Sequence, residues 1–75
     1  MVVQQFSEKC VTATVHETLP KFGLAYLVDD SDRTWVITRS TKGPGLDGMH
    51  PGQRCKLTLD DHQSYTLVQD YQLLS

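Results

Sequence analysis

Residues 9–19, KCVTATVHETL, alternate apolar and polar positions and are rich in β-branched side chains, which predicts a half-buried strand. Val11, Ala13 and Val15 share one parity, while Cys10, Thr12 and Thr14 share the other. Pro20 interrupts this run, and KFGLAYLVDD (21–30) forms a second. DDSDR reads as a turn, because Asp and Ser side chains bond their own backbone, and RTWVITRST (33–41) follows as a third strand closing a hairpin. KGPGLDGMHPGQ (42–53) holds four glycines and two prolines, so it predicts a long loop, expected to be the most mobile internal segment. RCKLTLDD (54–61) and YTLVQDYQLL (65–74), separated by the turn HQS, complete five strands. There is no helical stripe, repeat or low-complexity tract.

A three-stranded meander, a long loop and a hairpin is the layout expected of an all-β chain folded as a small five-stranded Greek-key OB barrel. An SH3-like barrel also packs five strands into this length, but the long first two strands and the late loop favour the OB arrangement. The 75 residues make a single domain, 1–75, with residues 1–8 expected to be a flexible or edge segment. So short a chain has little apolar area to bury, and its stability is expected to be modest.

The third strand carries the first candidate surface. Arg33, Trp35, Ile37 and Arg39 share one parity; Thr34, Val36 and Thr38 share the other. If the first set faces outward, two guanidinium groups flank an indole, an arrangement suited to stacking a base and holding its phosphates. Lys21, Lys42 and Lys56 would extend that cationic rim. The alternative makes Trp35 and Ile37 core anchors, with the arginines emerging at the strand ends. The arginines tip the reading outward, because their charge is hard to place inside.

Charge narrows the partner. A net charge of -2 and a pI near 5.8 provide no global positive field, which argues against a strong duplex binder. They count less against a single-strand binder, where stacking carries much of the free energy. No apolar run approaches the about 20 residues that span a bilayer, and MVVQQFSEK lacks the basic flank and apolar segment of a secretory signal, so no membrane partner and a cytoplasmic location are expected.

Candidate chemistry is sparse. Cys10 and Cys55 belong to opposite strand faces, so both are expected to be reduced thiols rather than a disulfide. His16, His50 and His62 are dispersed, and no His/Cys/carboxylate spacing suits zinc. No nucleophile sits in an activating motif, and KGPGLDG lacks the strand-to-helix context of a phosphate loop. Asp29, Asp30 and Asp32 read as turn chemistry, with weak cation binding as the alternative. The expectation is a non-enzyme with no catalytic residues, no metal and no cofactor.

Two stretches resemble known families. VHETLPKFGLAYLV resembles the start of bacterial translation initiation factor one, an S1-like domain in which an apolar strand runs through Glu-Thr/Asn-Leu-Pro into a second strand. HPGQRCKLTL resembles that family's fourth strand. KFGLAYLVDDSDRTWVI is also similar to the second and third strands of the cold-shock domain. The resemblance covers roughly residues 9–74. It implies an OB fold that binds single-stranded RNA or DNA, with the ribosome as partner in the initiation-factor case. This chain departs from both families: its long loop keeps only Lys42, and Phe22-Gly23-Leu24-Ala25-Tyr26-Leu27 stands where a cold-shock domain has Lys-Gly-Phe-Gly-Phe-Ile.

The two templates assign opposite faces to Tyr26. On the initiation-factor alignment Leu24, Tyr26 and Val28 face inward; on the cold-shock alignment Leu24 and Tyr26 are outward stacking residues and Ala25 and Leu27 are core. The larger apolar set is expected inside, which makes Tyr26 a core tyrosine with its hydroxyl at the rim. The expected function is a single-stranded RNA/DNA-binding OB module using Lys21, Tyr26, Arg33, Trp35, Arg39, Lys42 and Lys56. The alternative is a protein-interaction barrel, a small accessory subunit whose YQLL tail and N-terminal VVQQF serve as partner-binding edges.

Overall fold

The computed structural model describes residues 9–74; the expectations for 1–8, including VVQQF as a binding edge, fall outside them. Five antiparallel strands form one sheet: β1 (Lys9–Leu19), β2 (Leu24–Asp29), β3 (Thr34–Thr38), β4 (Arg54–Asp61) and β5 (Thr66–Leu74). Their order is β3-β2-β1-β4-β5, so the long first strand is the spine, with the meander on one side and the β4–β5 hairpin on the other. The sheet curls into a small OB-like barrel whose seam lies between β3 and β5. A parallel bridge between Lys42 and Asp70 closes that seam, where the Tyr71 N–H donates to the Lys42 carbonyl at 3.1 Å. The other regular elements are two 3-10 turns, Pro20–Phe22 and Leu46–Gly48.

Local chemistry sets the corners. Proline opens the Pro20–Phe22 turn, where it has no intrahelical N–H to lose. Gly23 closes it at φ 67°, a left-handed conformation in which any side chain would be strained, and its N–H returns to the Pro20 carbonyl at 3.1 Å. Within β1 the pairing steps from Val15 with Leu27 to Glu17 with Tyr26, a bulge at His16 that helps a strand of this length to bend.

The core comprises Ala13 and Val15 of β1, Ala25 and Leu27 of β2, Ile37 of β3, Cys55, Leu57 and Leu59 of β4, Tyr71 of β5, and Met49 from the long loop. This corrects the expected parity of β2. Ala25 and Leu27 are fully buried, and Leu24, Tyr26 and Val28 lie half-buried on the outer face. The reason is register: Val15 stands opposite Leu27, so the side of β2 that meets the core is fixed by β1 rather than by which apolar set is larger. The same coupling turns β3. Ile37 pairs with Ala25 and Trp35 with Leu27, so these two side chains face inward, Ile37 fully buried and Trp35 half-buried at the core's margin, while Arg33 and Arg39 lie exposed just beyond the ends of the strand. The outward Arg-Trp-Arg platform is therefore corrected to the core-anchor alternative.

Residues 42–53 form a loop, but one tied down at both ends. The Gly45 N–H donates to the Tyr71 hydroxyl at 2.9 Å, the Val15 N–H to the Gln53 carbonyl at 2.8 Å and the Gly52 N–H to the Val15 carbonyl at 2.8 Å. Met49 enters the core from its centre.

Candidate nucleic-acid interface

The outer face of β1–β2–β3 is built from cross-strand pairs. Tyr26 sits between Glu17 of β1 and Val36 of β3; Leu24 lies between Leu19 and Thr38, and Val28 between Thr14 and Thr34. Tyr26 is thus the aromatic ring at the middle of a mostly apolar strip, bordered by threonine hydroxyls and one carboxylate. Val36, 44% exposed, leaves room beside it.

The sequence-predicted residues distribute unevenly around this strip. Lys21, in the Pro20–Phe22 turn, and Arg39, just beyond β3, meet at one end. The Arg39 guanidinium donates to the Pro20 carbonyl at 2.9 Å, and its backbone N–H donates to the Gly23 carbonyl at 3.1 Å. Lys42 follows three residues later at the barrel seam. Arg33 lies exposed at the opposite end, its backbone N–H taken up by Asp29. Lys56 is exposed on β4 opposite Thr12, five positions along β1 from Glu17, and so stands apart from Tyr26. Trp35 is not part of the outer strip at all.

What holds Trp35 is Asp29, only 6% exposed. One carboxylate oxygen accepts the indole N–H at 2.9 Å, and the other accepts the N–H of Ser31 at 2.8 Å and of Arg33 at 3.0 Å. These donors favour the ionised form, so the Asp29 carboxyl is held below its ordinary value, chiefly by Trp35 and then by the Arg33 amide. The turn chemistry read from DDSDR is therefore a carboxylate clamp that also captures the largest side chain.

Charge is polarised along the β2–β3 hairpin in a way that the net total hides. Asp29, Asp30 and Asp32 crowd its tip alongside the exposed Arg33, and Arg54 pairs with Asp30 there at 3.2 Å. Lys21 and Arg39 lie at the other end, Lys42 follows at the seam beside Asp70, and none of the three has an ion-pair partner among the described residues. A locally positive end on an acidic domain is what a short anionic ligand can use.

Two features escaped the sequence reading. Phe22, 73% exposed, stands on the turn between Lys21 and Gly23; the bracketing Pro20 and Gly23 were the available signal that this aromatic is pushed off both strands. At the β4–β5 turn the His62 and Tyr65 rings approach to 4.6 Å, with Tyr65 and Leu67 more than half exposed.

Cys10 is exposed opposite Thr58 and Cys55 is fully buried opposite Ala13; both are free thiols, and burial pushes the Cys55 thiol upward. Among the described residues no group of three His, Cys, Asp or Glu side chains is placed to hold a metal ion, and no helix is long and apolar enough to cross a membrane. No family model matches this chain, and no curated protein or solved structure matches it.

Proposed function

We propose that the domain is a non-catalytic module that binds single-stranded RNA or DNA across the outer face of β1–β2–β3, with Tyr26 as the base platform and Lys21 and Arg39 as the nearest phosphate contacts. The observation that carries this reading is the outward placement of Tyr26 at the centre of an apolar strip, with Lys21 and Arg39, which have no ion-pair partner among the described residues, at one end of it. Every base presents a π face, so a single ring with apolar neighbours gives sequence-tolerant stacking. The parity is that of the cold-shock resemblance, with Leu24 and Tyr26 outside and Ala25 and Leu27 in the core. The ribosomal partner implied by the initiation-factor resemblance gains no support from the long loop, whose one cation is Lys42. Glu17, directly opposite Tyr26, and the net charge of -2 keep the affinity modest and dependent on low salt.

The test is titration of short RNA and DNA strands at low salt while following backbone amide shifts. Shifts should concentrate on β2, β3 and the Pro20–Phe22 turn. The absence of shifts at millimolar strand would end the nucleic-acid reading. A second reading, a protein-interaction barrel, is favoured by a different observation: Tyr65 and Leu67 expose apolar surface at the β4–β5 turn, away from the cationic end. Under that reading the oligonucleotide titration leaves all amides unmoved.

A further inference from the structure

Phe22 has no evident part in folding. It is 73% exposed on a turn whose shape is supplied by Pro20 and Gly23, so the turn does not need an aromatic there. Water-exposed aromatic surface is usually buried when a core is available, and the core here is filled without it.

Its neighbours are arranged rather than scattered. Lys21 precedes it in the same turn. Arg39 reaches back from β3 across Gly23, so closely that a Cβ on that glycine would lie 3.0 Å from the Arg39 Nε, and its guanidinium is anchored on the Pro20 carbonyl. One donor is thus spent on holding the guanidinium beside the turn, while its charge has no carboxylate partner among the described residues. A fixed cation loses less freedom on meeting a phosphate than a free one. Gly23 is needed here twice, for its left-handed φ of 67° and for the passage of Arg39.

We infer that Phe22, Lys21 and Arg39 form a second contact point for single-stranded nucleic acid, at which Phe22 stacks a base and the two cations hold the flanking phosphates. This rests on the proposal that Tyr26 is the first platform, and it extends that site off the end of β2. Phe22 precedes Leu24 by two residues, at the end of β2 that carries Lys21 and Arg39 and opposite the end that carries Asp29, Asp30 and Asp32, so a strand that extends past Leu24 in that direction comes to the Phe22 turn. The inference accordingly gives the bound strand a length dependence: a short oligonucleotide is satisfied by Tyr26, and a longer one also reaches Phe22.

The experiment compares a trinucleotide with a longer oligothymidylate and oligouridylate at low salt, for the wild-type chain, Phe22→Leu, Phe22→Trp and Tyr26→Leu. Leucine keeps apolar bulk and loses the ring, so a folding defect is not the expected cause of any change. The wild-type chain should gain affinity with length. Phe22→Leu should lose at least about fivefold on the longer strand and little on the trinucleotide, whereas Phe22→Trp should keep the gain and show indole quenching above that of Trp35. Lys21→Gln should flatten the dependence of log affinity on log salt by about 0.7. If Phe22→Leu binds the longer strand as the wild-type chain does while Tyr26→Leu is weakened, the second contact is wrong and the Tyr26 site stands. If the wild-type chain binds neither strand, both fall.

Discussion

The indole N–H of Trp35 donates to one oxygen of the Asp29 carboxylate at 2.9 Å, while the other oxygen accepts the backbone N–H groups of Ser31 and Arg33. A single carboxylate therefore ties together the end of β2, the hairpin turn and the largest side chain of β3. It also explains why Asp32 adopts φ 67°: the turn is wound tightly around the carboxylate, and Asp is among the residues that tolerate that region.

This clamp makes stability acid-sensitive. The Asp29 carboxyl is lowered in the folded state by its bond from Trp35 first and the Arg33 amide second, so below about pH 4 the unfolded chain binds the proton more readily. The contribution is complete above the unfolded value and is lost as pH falls through the folded one. Urea midpoints measured from neutral to about pH 2 should fall on the acid side, and Trp35→Phe should make that fall shallower. A residual slope is expected from Asp61, which the Thr66 hydroxyl and Lys9 lower in the same way. Equal acid slopes for wild type and Trp35→Phe would show that the indole bond does not set the Asp29 titration.

The long loop offers a steric test. A Cβ on Gly43 would run into the ring of Tyr71, a buried residue whose N–H and hydroxyl are both engaged by the loop. The ring cannot step aside without breaking those bonds, so Gly43→Ala should cost about 1–3 kcal/mol. Gly48 has nothing within 4 Å of the corresponding position and needs no positive φ. Gly48→Ala should be neutral or slightly stabilising, by up to about 1 kcal/mol. Chemical denaturation of the two variants side by side decides the point; equal stabilities would mean that the loop does not seat under Tyr71.

Thiol accessibility reports on the register of β1 and β4. Cys10 is exposed and Cys55 fully buried, so a thiol reagent should titrate one cysteine in the folded domain and the second only on unfolding. Immediate labelling of Cys55 under native conditions would contradict the pairing of Ala13 with Cys55.

Much of this fold was legible in the alternation of residues. β1 and β4 match their sequence-predicted runs end to end, because Val11, Ala13, Val15 and Cys55, Leu57, Leu59 each keep strict period two. The face of β2 was not legible. Both of its parities are apolar, and the choice between Leu24–Tyr26–Val28 and Ala25–Leu27 is made by register with Val15, a long-range fact. Trp35 misled for a related reason: the flanking arginines looked like an outward signature, yet they lie beyond or at the margins of the strand while the indole turns inward to Asp29. The loop itself was legible from its glycines and prolines, but local composition cannot reveal its hydrogen bonds to Tyr71, more than 20 residues further on. For the candidate site, residue type was legible for Tyr26, Lys21 and Arg39; that Lys21 and Arg39 share one end of the strip centred on Tyr26 required the turn at Pro20–Phe22.

Tyr26 and Trp35 should separate binding from folding. Tyr26 lies on the outer face, and leucine in its place preserves apolar contact with Val36, so Tyr26→Leu should change stability by less than about 1 kcal/mol. The same substitution removes the ring proposed to stack a base, and on that proposal affinity for a single strand should fall by about fivefold or more. Trp35→Phe keeps a ring at the core margin and loses the donor to Asp29, so it should lower the urea midpoint while the folded fraction binds as the wild-type chain does. Amide spectra taken at the start of each titration fix the folded fraction, which keeps the two effects apart. The opposite pattern, with Trp35→Phe losing affinity at full folding and Tyr26→Leu binding normally, would move the platform from the outer face to the Trp35 side of β3.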